Sequence, residues 1–264
     1  MLISELVKKL DDTVHPEYQE DYDNAGFLLG DPSRSITGVL VALDLTERVV
    51  EEALSKDLNL IVTHHPFIFG GLKRITPDTT VGRLVLRLIE GGVAVYAAHT
   101  NLDNLKAGVN GIWAANLGLS DCAILRPLPN NPDVGAGLIG TLPQPMPTAQ
   151  FLASVKELLH LAAMRVNVDA LTIRPSVRRV AICGGAGSFL ITDAIRRQAD
   201  VFLTADLKYH DFQKGEDRIV LADVGHYESE QLSRGLLAGA VEALGDESFP
   251  VCIATVCDRW EVWC

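Results

Sequence analysis

The chain has 264 residues, of which 48% are hydrophobic and 22% are charged, as is usual for a soluble globular protein. Its formal net charge at pH 7 is −11. This charge argues against non-specific binding along nucleic acid, because such binding needs a basic stripe. No apolar run approaches the ~18 residues that a membrane span needs. The five cysteines form no CxxC pair, so we expect a reduced, cytoplasmic protein.

The first half of the chain shows regular hydrophobic patterns. Residues 1–14 have the pattern of an amphipathic helix and not that of a signal peptide. Strands and helices then alternate, with strands predicted at 37–44, 58–63 and 93–98 and helices at 47–56, 81–90 and 110–117. This alternation is typical of a mainly parallel sheet covered by helices.

The composition changes near Pro127, because residues 126–147 contain six of the 12 prolines. We interpret this segment as a crossing into a second domain, with one strand at 137–142. The α/β pattern then resumes, with helices predicted at 148–159, 188–198 and 227–244 and strands at 179–183, 200–204, 218–223 and 249–256. We therefore predict an α/β fold of two domains with mostly parallel sheets flanked by helices. Residues 1–125 with 245–264 would form the first domain, and residues 126–244 the second.

Histidines and carboxylates follow three of the predicted strands. In open α/β sheets, ligands bind outside the carboxyl ends of the strands, so residues at these positions are candidates for a functional site. The residues concerned are His64 and His65, His99 and Asp103, and His226 and Glu230. His226 and Glu230 are four residues apart, which places them on one face of a helix.

Each of these patterns alone also has an ordinary structural explanation. His64 and His65 could be a capping residue and a surface residue. Asp103 could cap a helix or a turn. His226 and Glu230 could form a simple surface pair. Together, however, six imidazole and carboxylate donors at three strand ends favour a centre for two divalent metal ions.

Two further segments are candidates for substrate contacts. Gly184, Gly185, Gly187 and Ser188 follow a predicted strand and open a predicted helix, where backbone N–H groups can bind an anion. A tight turn between strand and helix is the alternative. Residues 204–210 follow the next strand, and their Asp206, Lys208 and His210 could contact a phosphate or act as acid or base. These three could equally be solvated loop residues.

Six segments resemble, in the same order along the chain, the signature of the GTP cyclohydrolase 1 type 2 homologues. These proteins are also called NGG-interacting-factor-three-like proteins. The segments are DNAGFLLGD (23–31), IVTHHP (61–66), AHTNLD (98–103), AICGGAGS (181–188), LTADLKYH (203–210) and GHYESE (225–230). Ala205 stands where the family usually has glycine, and the C-terminal DRWEVWC is unlike the tail expected of the family, so we assign it no role.

The resemblance implies a two-domain α/β fold, a toroidal homohexamer and two divalent metal ions per subunit, with zinc, manganese, iron or nickel as the candidate metals. Its implied ligands are His64, His65, Asp103, His226 and Glu230, with His99 as a further ligand or a residue beside the ligands. We therefore expect a metal-dependent hydrolase of a small nucleotide-like or phosphorylated substrate, GTP being one option. A non-enzymatic metal-binding regulatory or interaction protein is the alternative.

Overall fold

The computed structural model describes residues 1–167, 169–215, 217–245, 247–256 and 258–260. Its helices are α1 (Ile3–Val14), α2 (Glu47–Ser55), α3 (Thr80–Gly91), α4 (Thr100–Asp103), α5 (Val109–Asn116), α6 (Thr148–Leu158), α7 (Ala170–Ile173), α8 (Ile191–Arg196), α9 (Asp211–Gly215), α10 (His226–Glu230) and α11 (Ser233–Leu244). Its strands are β1 (Gly26–Leu29), β2 (Val39–Ala42), β3 (Leu60–Thr63), β4 (Ala94–Ala97), β5 (Ser120–Leu128), β6 (Asn131–Pro147), β7 (Arg165–Val166), β8 (Ser176–Ala186), β9 (Val201–Ala205), β10 (Val220–Asp223) and β11 (Val251–Ile253).

The tertiary contacts divide the chain into two compact units. The first unit contains Met1–Leu102 and Ser233–Trp260, and the second contains Asp103–Leu232. This division differs from the predicted domain boundaries, because α5 packs on β6 and β8 of the second unit. The predicted organisation into two domains itself stays a prediction.

The first unit is built on a five-stranded sheet in the order β1-β4-β3-β2-β11. The strands β4, β3, β2 and β11 run parallel, and β1 is an antiparallel edge strand that the sequence did not reveal. Every residue of β2, β3 and β4 is buried, as expected of parallel strands that are covered on both faces. The parallel sheet and the N-terminal amphipathic helix are therefore as predicted.

The second unit contains a six-stranded mixed sheet in the order β5-β6-β8-β9-β10-β7. Its centre, β8, β9 and β10, is parallel as predicted. In contrast, β5 and β6 form an antiparallel hairpin, β6 pairs antiparallel with β8, and β7 pairs antiparallel with β10. The proline-rich segment thus lies largely in one long, irregular strand, β6, whose register shifts between Thr141 and Met146. Proline lacks a backbone N–H for the ladder, so irregular positions in a sheet tolerate it best.

The single helix predicted over 227–244 is wrong, because the structure has two helices there. α10 ends at Glu230 and α11 begins at Ser233. The reason is packing: α10 contacts β8 and β9, whereas α11 contacts β11 and α1. The chain therefore passes from one unit to the other at this break. None of the described helices is long and apolar enough to cross a membrane.

Candidate metal centre

Three histidine rings cluster where β3 and β4 end in the first unit. His64 and His65 follow β3, and His99 follows β4 after one residue. Their ring centroids are 5.0 Å (His64 to His65), 5.4 Å (His64 to His99) and 5.3 Å (His65 to His99) apart. The rings meet because β3 and β4 are parallel neighbours, with Thr63 paired to Ala97.

The two adjacent histidines point into one cluster because the chain turns after β3. Successive side chains of a regular strand point to opposite faces, so His64 and His65 could not converge on a continued strand. The Thr63 hydroxyl donates to the His65 carbonyl at 2.8 Å, and Pro66 cannot continue the ladder. These features end the strand and bring both rings to the same side.

Each of the three rings has its Nδ1 atom held by an oxygen. The Nδ1–H of His64 donates to the Ala98 carbonyl at 2.8 Å. The Nδ1 of His65 lies 2.9 Å from Asp44 Oδ1, and that of His99 lies 2.8 Å from Asp23 Oδ1. With Nδ1 as the protonated nitrogen of a neutral ring, Nε2 carries the lone pair that can bind a metal ion.

Asp23 is a buried carboxylate of the first unit that orients His99. Its side chain is fully buried, and it accepts hydrogen bonds from His99 and from the backbone N–H and hydroxyl of Thr100. Burial alone would raise its pKa, but the hydrogen bonds from His99 and Thr100 outweigh burial and lower the pKa to about 2. The carboxylate therefore stays ionised and fixes the ring of His99.

The C-terminal segment also contacts this region. The Leu43 N–H donates to Asp258 Oδ2 at 2.8 Å, and the Leu43 carbonyl accepts the His65 N–H at 3.0 Å. Asp258 thus supports the end of β2, from which Asp44 reaches His65. It is the first residue of the tail to which the sequence analysis gave no role; residues 261–264 of that tail lie outside the described part of the chain.

In the second unit, His226 lies between two carboxylates. Its Nδ1 is 2.7 Å from Asp206 Oδ2, and its Nε2 is 2.9 Å from Glu230 Oε2. His226 and Glu230 are one turn apart on α10, as their spacing indicates, and Glu230 is buried. Burial would lower the pKa of His226, but its hydrogen bonds with Asp206 and Glu230 raise it to about 11.

The glycine-rich segment packs against Glu230. Gly184 and Gly185 belong to β8, and their N–H groups donate to Asn110 Oδ1 and Ser229 Oγ, each at 2.9 Å. Gly185 has a left-handed backbone with φ of +61°, and a Cβ atom there would lie 2.2 Å from Glu230 Oε1. Gly185 therefore allows β8 to pack closely against Glu230. Anion binding by this segment stays a prediction, and it would need N–H groups other than those of Gly184 and Gly185, which already donate to Asn110 and Ser229.

The remaining residues of the predicted anion site show no common arrangement. A Cβ atom on Gly187 would lie 2.3 Å from Thr204 Oγ1, so this glycine also serves packing. Ser188 begins a short 3-10 turn, and α8 starts only at Ile191. Lys208 and His210 are exposed in the turn after β9, and their contact with a substrate stays a prediction.

Asp103 is the last residue of α4, and its side chain is half-buried. Its carbonyl accepts a hydrogen bond from Asn110 Nδ2 at 3.2 Å. Burial raises the pKa of the Cys183 thiol, and the charges of Asp103 and Glu230 raise it further. Both carboxylates therefore act on the same buried thiol of the second unit.

Three of the predicted ligands, His64, His65 and Glu230, could bind a metal ion. Two imidazoles and one carboxylate are a donor set that zinc and similar divalent ions accept. Ligation by Asp103, His226 and His99, and the number of ions, stay predictions.

The carboxylates that hold the histidines are the residues that sequence reasoning missed. Asp206 was predicted as a candidate phosphate contact or acid or base, and Asp23 lies in a segment that resembles the family, but neither was paired with a histidine; Asp44 was not predicted. Asp44 directly follows the residue after β2, and Asp206 directly follows β9. Acidic residues just beyond parallel strands are therefore the signal that could have found both.

The fold and the site together define an α/β protein with two sheets and a candidate metal-binding group of histidines and a carboxylate. The family model for DUF34/NIF3 (NGG1p interacting factor 3) matches residues 1–257. The chain belongs to this family, as the motif resemblance indicated.

Named relatives and solved structures agree with this assignment. A GTP cyclohydrolase 1 type 2 homolog of Clostridium perfringens is 32% identical over 233 residues, which cover 87% of each chain. The protein of that name from Streptococcus pneumoniae is 32% identical over 229 residues, covering 86% of this chain and 85% of its own. The crystal structure of Staphylococcus aureus hypothetical protein SA1388 superposes with a TM-score of 0.88 at 28% identity and covers 100% of this chain and 99% of its own.

Proposed function

We propose that this protein is a dinuclear metal-dependent hydrolase that acts on a small nucleotide-like or phosphorylated substrate. The observation that carries the proposal is the common arrangement of four histidines. His64, His65, His99 and His226 each have Nδ1 held by a backbone carbonyl or a carboxylate. Histidines that bind metal ions in proteins show this same arrangement, which fixes the tautomer and the orientation of the ring.

The donor set fits divalent ions. In this proposal His64, His65, Asp103, His226 and Glu230 hold two ions, and His99 is a further ligand or lies beside them. Mixed imidazole and carboxylate donors suit zinc, manganese, iron or nickel. Ions bound there would supply Lewis-acid activation of water for hydrolysis.

The carboxylates and His226 have different roles in the proposed site. Asp44 and Asp23 keep the rings of His65 and His99 in the orientation that presents Nε2. Glu230 brings a buried negative charge that offsets the charge of a bound cation. His226 must release its proton before it can bind a cation, because its raised pKa keeps the ring charged at neutral pH.

The substrate class follows from the family resemblance and from the printed name of the relatives, GTP cyclohydrolase 1 type 2 homolog. A small anionic substrate would have Lys208 and His210 as candidate contacts, since both side chains are exposed beyond β9. A cytoplasmic homohexamer is also part of the proposal and rests on the resemblance. Light scattering at micromolar concentration checks the assembly, with a mass near six chains expected.

The experiment is a metal analysis followed by a substrate panel. The protein is purified without added metal, loaded separately with zinc, manganese, iron and nickel, and assayed with GTP and p-nitrophenyl phosphate. Turnover that needs the bound ion supports the hydrolase. Stoichiometric metal without turnover across a wider panel of nucleotides and phosphoesters supports the alternative, a non-enzymatic metal-binding protein. A chain that binds none of these ions overturns both.

A further inference from the structure

One buried carboxylate contacts both segments that carry the His226–Asp206 pair. Asp223 is the last residue of β10, and only 1% of it is exposed. Its Oδ2 accepts the Leu207 N–H at 3.0 Å, and its Oδ1 accepts the Gly225 N–H at 3.2 Å. Leu207 directly follows Asp206, and Gly225 directly precedes His226. The two loops are thus tied to a single side chain.

Both tied segments have a positive φ. Asp206 has φ of +56°, which residues other than glycine rarely adopt, and Gly225 has φ of +85°, which glycine adopts readily. These angles turn the chain sharply just after β9 and just before α10. The hydrogen bonds to Asp223 lie next to both turns, so they oppose relaxation of either one.

Arg165, in the edge strand β7, forms an ion pair with Asp223. Its guanidinium donates to Asp223 Oδ2 and also to the Leu207 carbonyl, the latter at 2.8 Å. The same guanidinium lies over the Phe212 ring, 5.7 Å from its centroid. Because a buried carboxylate is costly without a partner, the ion pair with Arg165 stabilises Asp223 in the position where it accepts both backbone donors.

We propose that Asp223, with Arg165 as its counter-ion, is a positioning residue for His226. It holds the loops of Asp206 and His226 so that the 2.7 Å contact between these side chains forms and the His226 ring keeps its orientation toward Glu230. The metal-binding consequence rests on the proposed function. The geometric claim does not, because it concerns contacts of the metal-free protein.

The test compares two isosteric substitutions in the second sheet. Asp223→Asn replaces one acceptor oxygen with an amide NH₂, so the side chain can no longer accept both from Gly225 on one side and from Leu207 and Arg165 on the other. The matched control is Asp200→Asn. Asp200 lies at the start of β9, at the opposite end of the strands, and it likewise accepts two backbone N–H groups, those of Arg178 and Arg179, at 2.9 and 2.8 Å.

Two readouts separate positioning from general loss of structure. In the metal-free protein, the hydrogen-bonded Nδ1–H proton of His226 should give a low-field NMR signal that persists in Asp200→Asn and disappears in Asp223→Asn. In cobalt titrations, Asp223→Asn should bind about ten- to a hundredfold more weakly, the usual cost of losing a residue that supports a metal ligand. Asp200→Asn should bind as tightly as the unchanged protein, with the same visible spectrum.

Failure of the positioning claim can be told apart from failure of the proposed function. If the unchanged protein binds no cobalt, the proposed function fails, and the NMR signal alone decides the positioning claim. If Asp223→Asn does not fold, Arg165→Lys is the second variant: it keeps the charge but loses the planar fork that reaches two acceptors, and it should weaken cobalt binding several-fold. A folded Asp223→Asn or Arg165→Lys variant that retains the Nδ1–H signal and the cobalt affinity overturns the proposal.

Discussion

The two units hold their histidines in different ways. In the first unit the Nδ1 of His64 is held by a neutral carbonyl, and those of His65 and His99 by carboxylates. In the second unit His226 has a carboxylate on each ring nitrogen. A carbonyl fixes the tautomer without adding charge, whereas two carboxylates also stabilise a protonated ring. In metal-free protein a proton therefore occupies the Nε2 of His226, the atom that a metal ion would need.

A carboxylate on a histidine ring can therefore either orient the ring for a metal ion or stabilise a proton that competes with the metal ion. The Nδ1 partners in both units orient a ring for coordination. Glu230, in contrast, is both a candidate ligand and the partner of His226 Nε2, so a bound cation must replace the proton between them. We therefore expect substitutions in the second unit to change charge and proton uptake, and those in the first unit to change affinity alone.

Glu230→Gln should have the largest effect. The substitution keeps the size of the side chain but removes the buried negative charge that stabilises a cation. We expect at least one of two bound ions to be lost, by elemental analysis of the metal-loaded protein at neutral pH. The control is Glu242→Gln on the exposed face of α11, which should retain both ions. Equal metal content in the two variants would show that Glu230 is not a ligand.

Gly185→Ala tests whether the close approach of β8 to Glu230 contributes to stability and to metal affinity. The added Cβ would lie 2.2 Å from Glu230 Oε1 on a backbone with φ of +61°. The left-handed backbone costs roughly 1–2 kcal/mol of the free energy of unfolding, and the displaced carboxylate should lower metal affinity. Chemical denaturation and a metal titration measure these two effects.

The matched control for this variant is Gly239→Ala in α11, where a Cβ atom has no described neighbour within 4 Å. That substitution should stabilise the protein by roughly 0.5–1 kcal/mol, because alanine favours a helix over glycine, and it should leave metal binding unchanged. A Gly185→Ala protein with unaltered stability and affinity would contradict the packing role.

Asp44→Ala and Asp206→Ala serve as controls for each other. Each removes the oxygen that holds Nδ1 of one histidine, so each should weaken metal binding about ten- to a hundredfold. Of the two variants, only Asp206→Ala should lower the pKa of His226, because Asp206, unlike Asp44, contacts that charged ring and stabilises it. Isothermal titration gives the affinities, and NMR titration gives the pKa. If Asp44→Ala shifted the pKa of His226 as much, the assignment of this shift to Asp206 and Glu230 would be wrong.

The last prediction concerns the proton on His226, whose effect on affinity within a single pH unit is the smallest. An ordinary histidine loses its proton near pH 6.5, but the pKa of His226 is raised to about 11. Between these two values the metal-free ring is charged, so metal binding must release its proton. Affinity should then rise with pH across pH 7 to 9, by up to about tenfold per unit for one proton.

Calorimetry at pH 8 in two buffers of different ionisation enthalpy measures the number of protons released. Asp206→Ala should release fewer protons than the unchanged protein, because its metal-free His226 is charged in a smaller fraction of molecules. Affinity that is flat from pH 7 to 9 would rule out a charged His226 in the metal-free state.

Much of the site could be predicted because it depends on where strands end. The strands β2, β3 and β4 of the first sheet and β9 and β10 of the second are short apolar runs, and within each sheet the parallel strands bring their carboxyl ends to one edge. The adjacent positions of His64 and His65 and the helical spacing of His226 and Glu230 are local patterns, and the family motifs add their order along the chain.

Which carboxylate holds which histidine could not be predicted, because this pairing depends on which strands are neighbours. Asp44 is 21 residues from His65, and Asp23 is 76 residues from His99, so no local spacing links them. The β5–β6 hairpin was missed for a related reason: its prolines suggested a connection, yet the irregular ends of a long strand accommodate them. The break between α10 and α11 depends on packing with different elements, which periodicity does not record.

The most direct test of the account is a crystal structure of the zinc-loaded protein with anomalous scattering at the zinc edge. We expect zinc ions about 2.1 Å from the Nε2 atoms of His64, His65 and His226, while the Nδ1 atoms of these histidines remain hydrogen-bonded to Ala98, Asp44 and Asp206. Zinc bound through any of these Nδ1 atoms, or no anomalous peak at these residues in a crystal soaked with excess zinc, would contradict it.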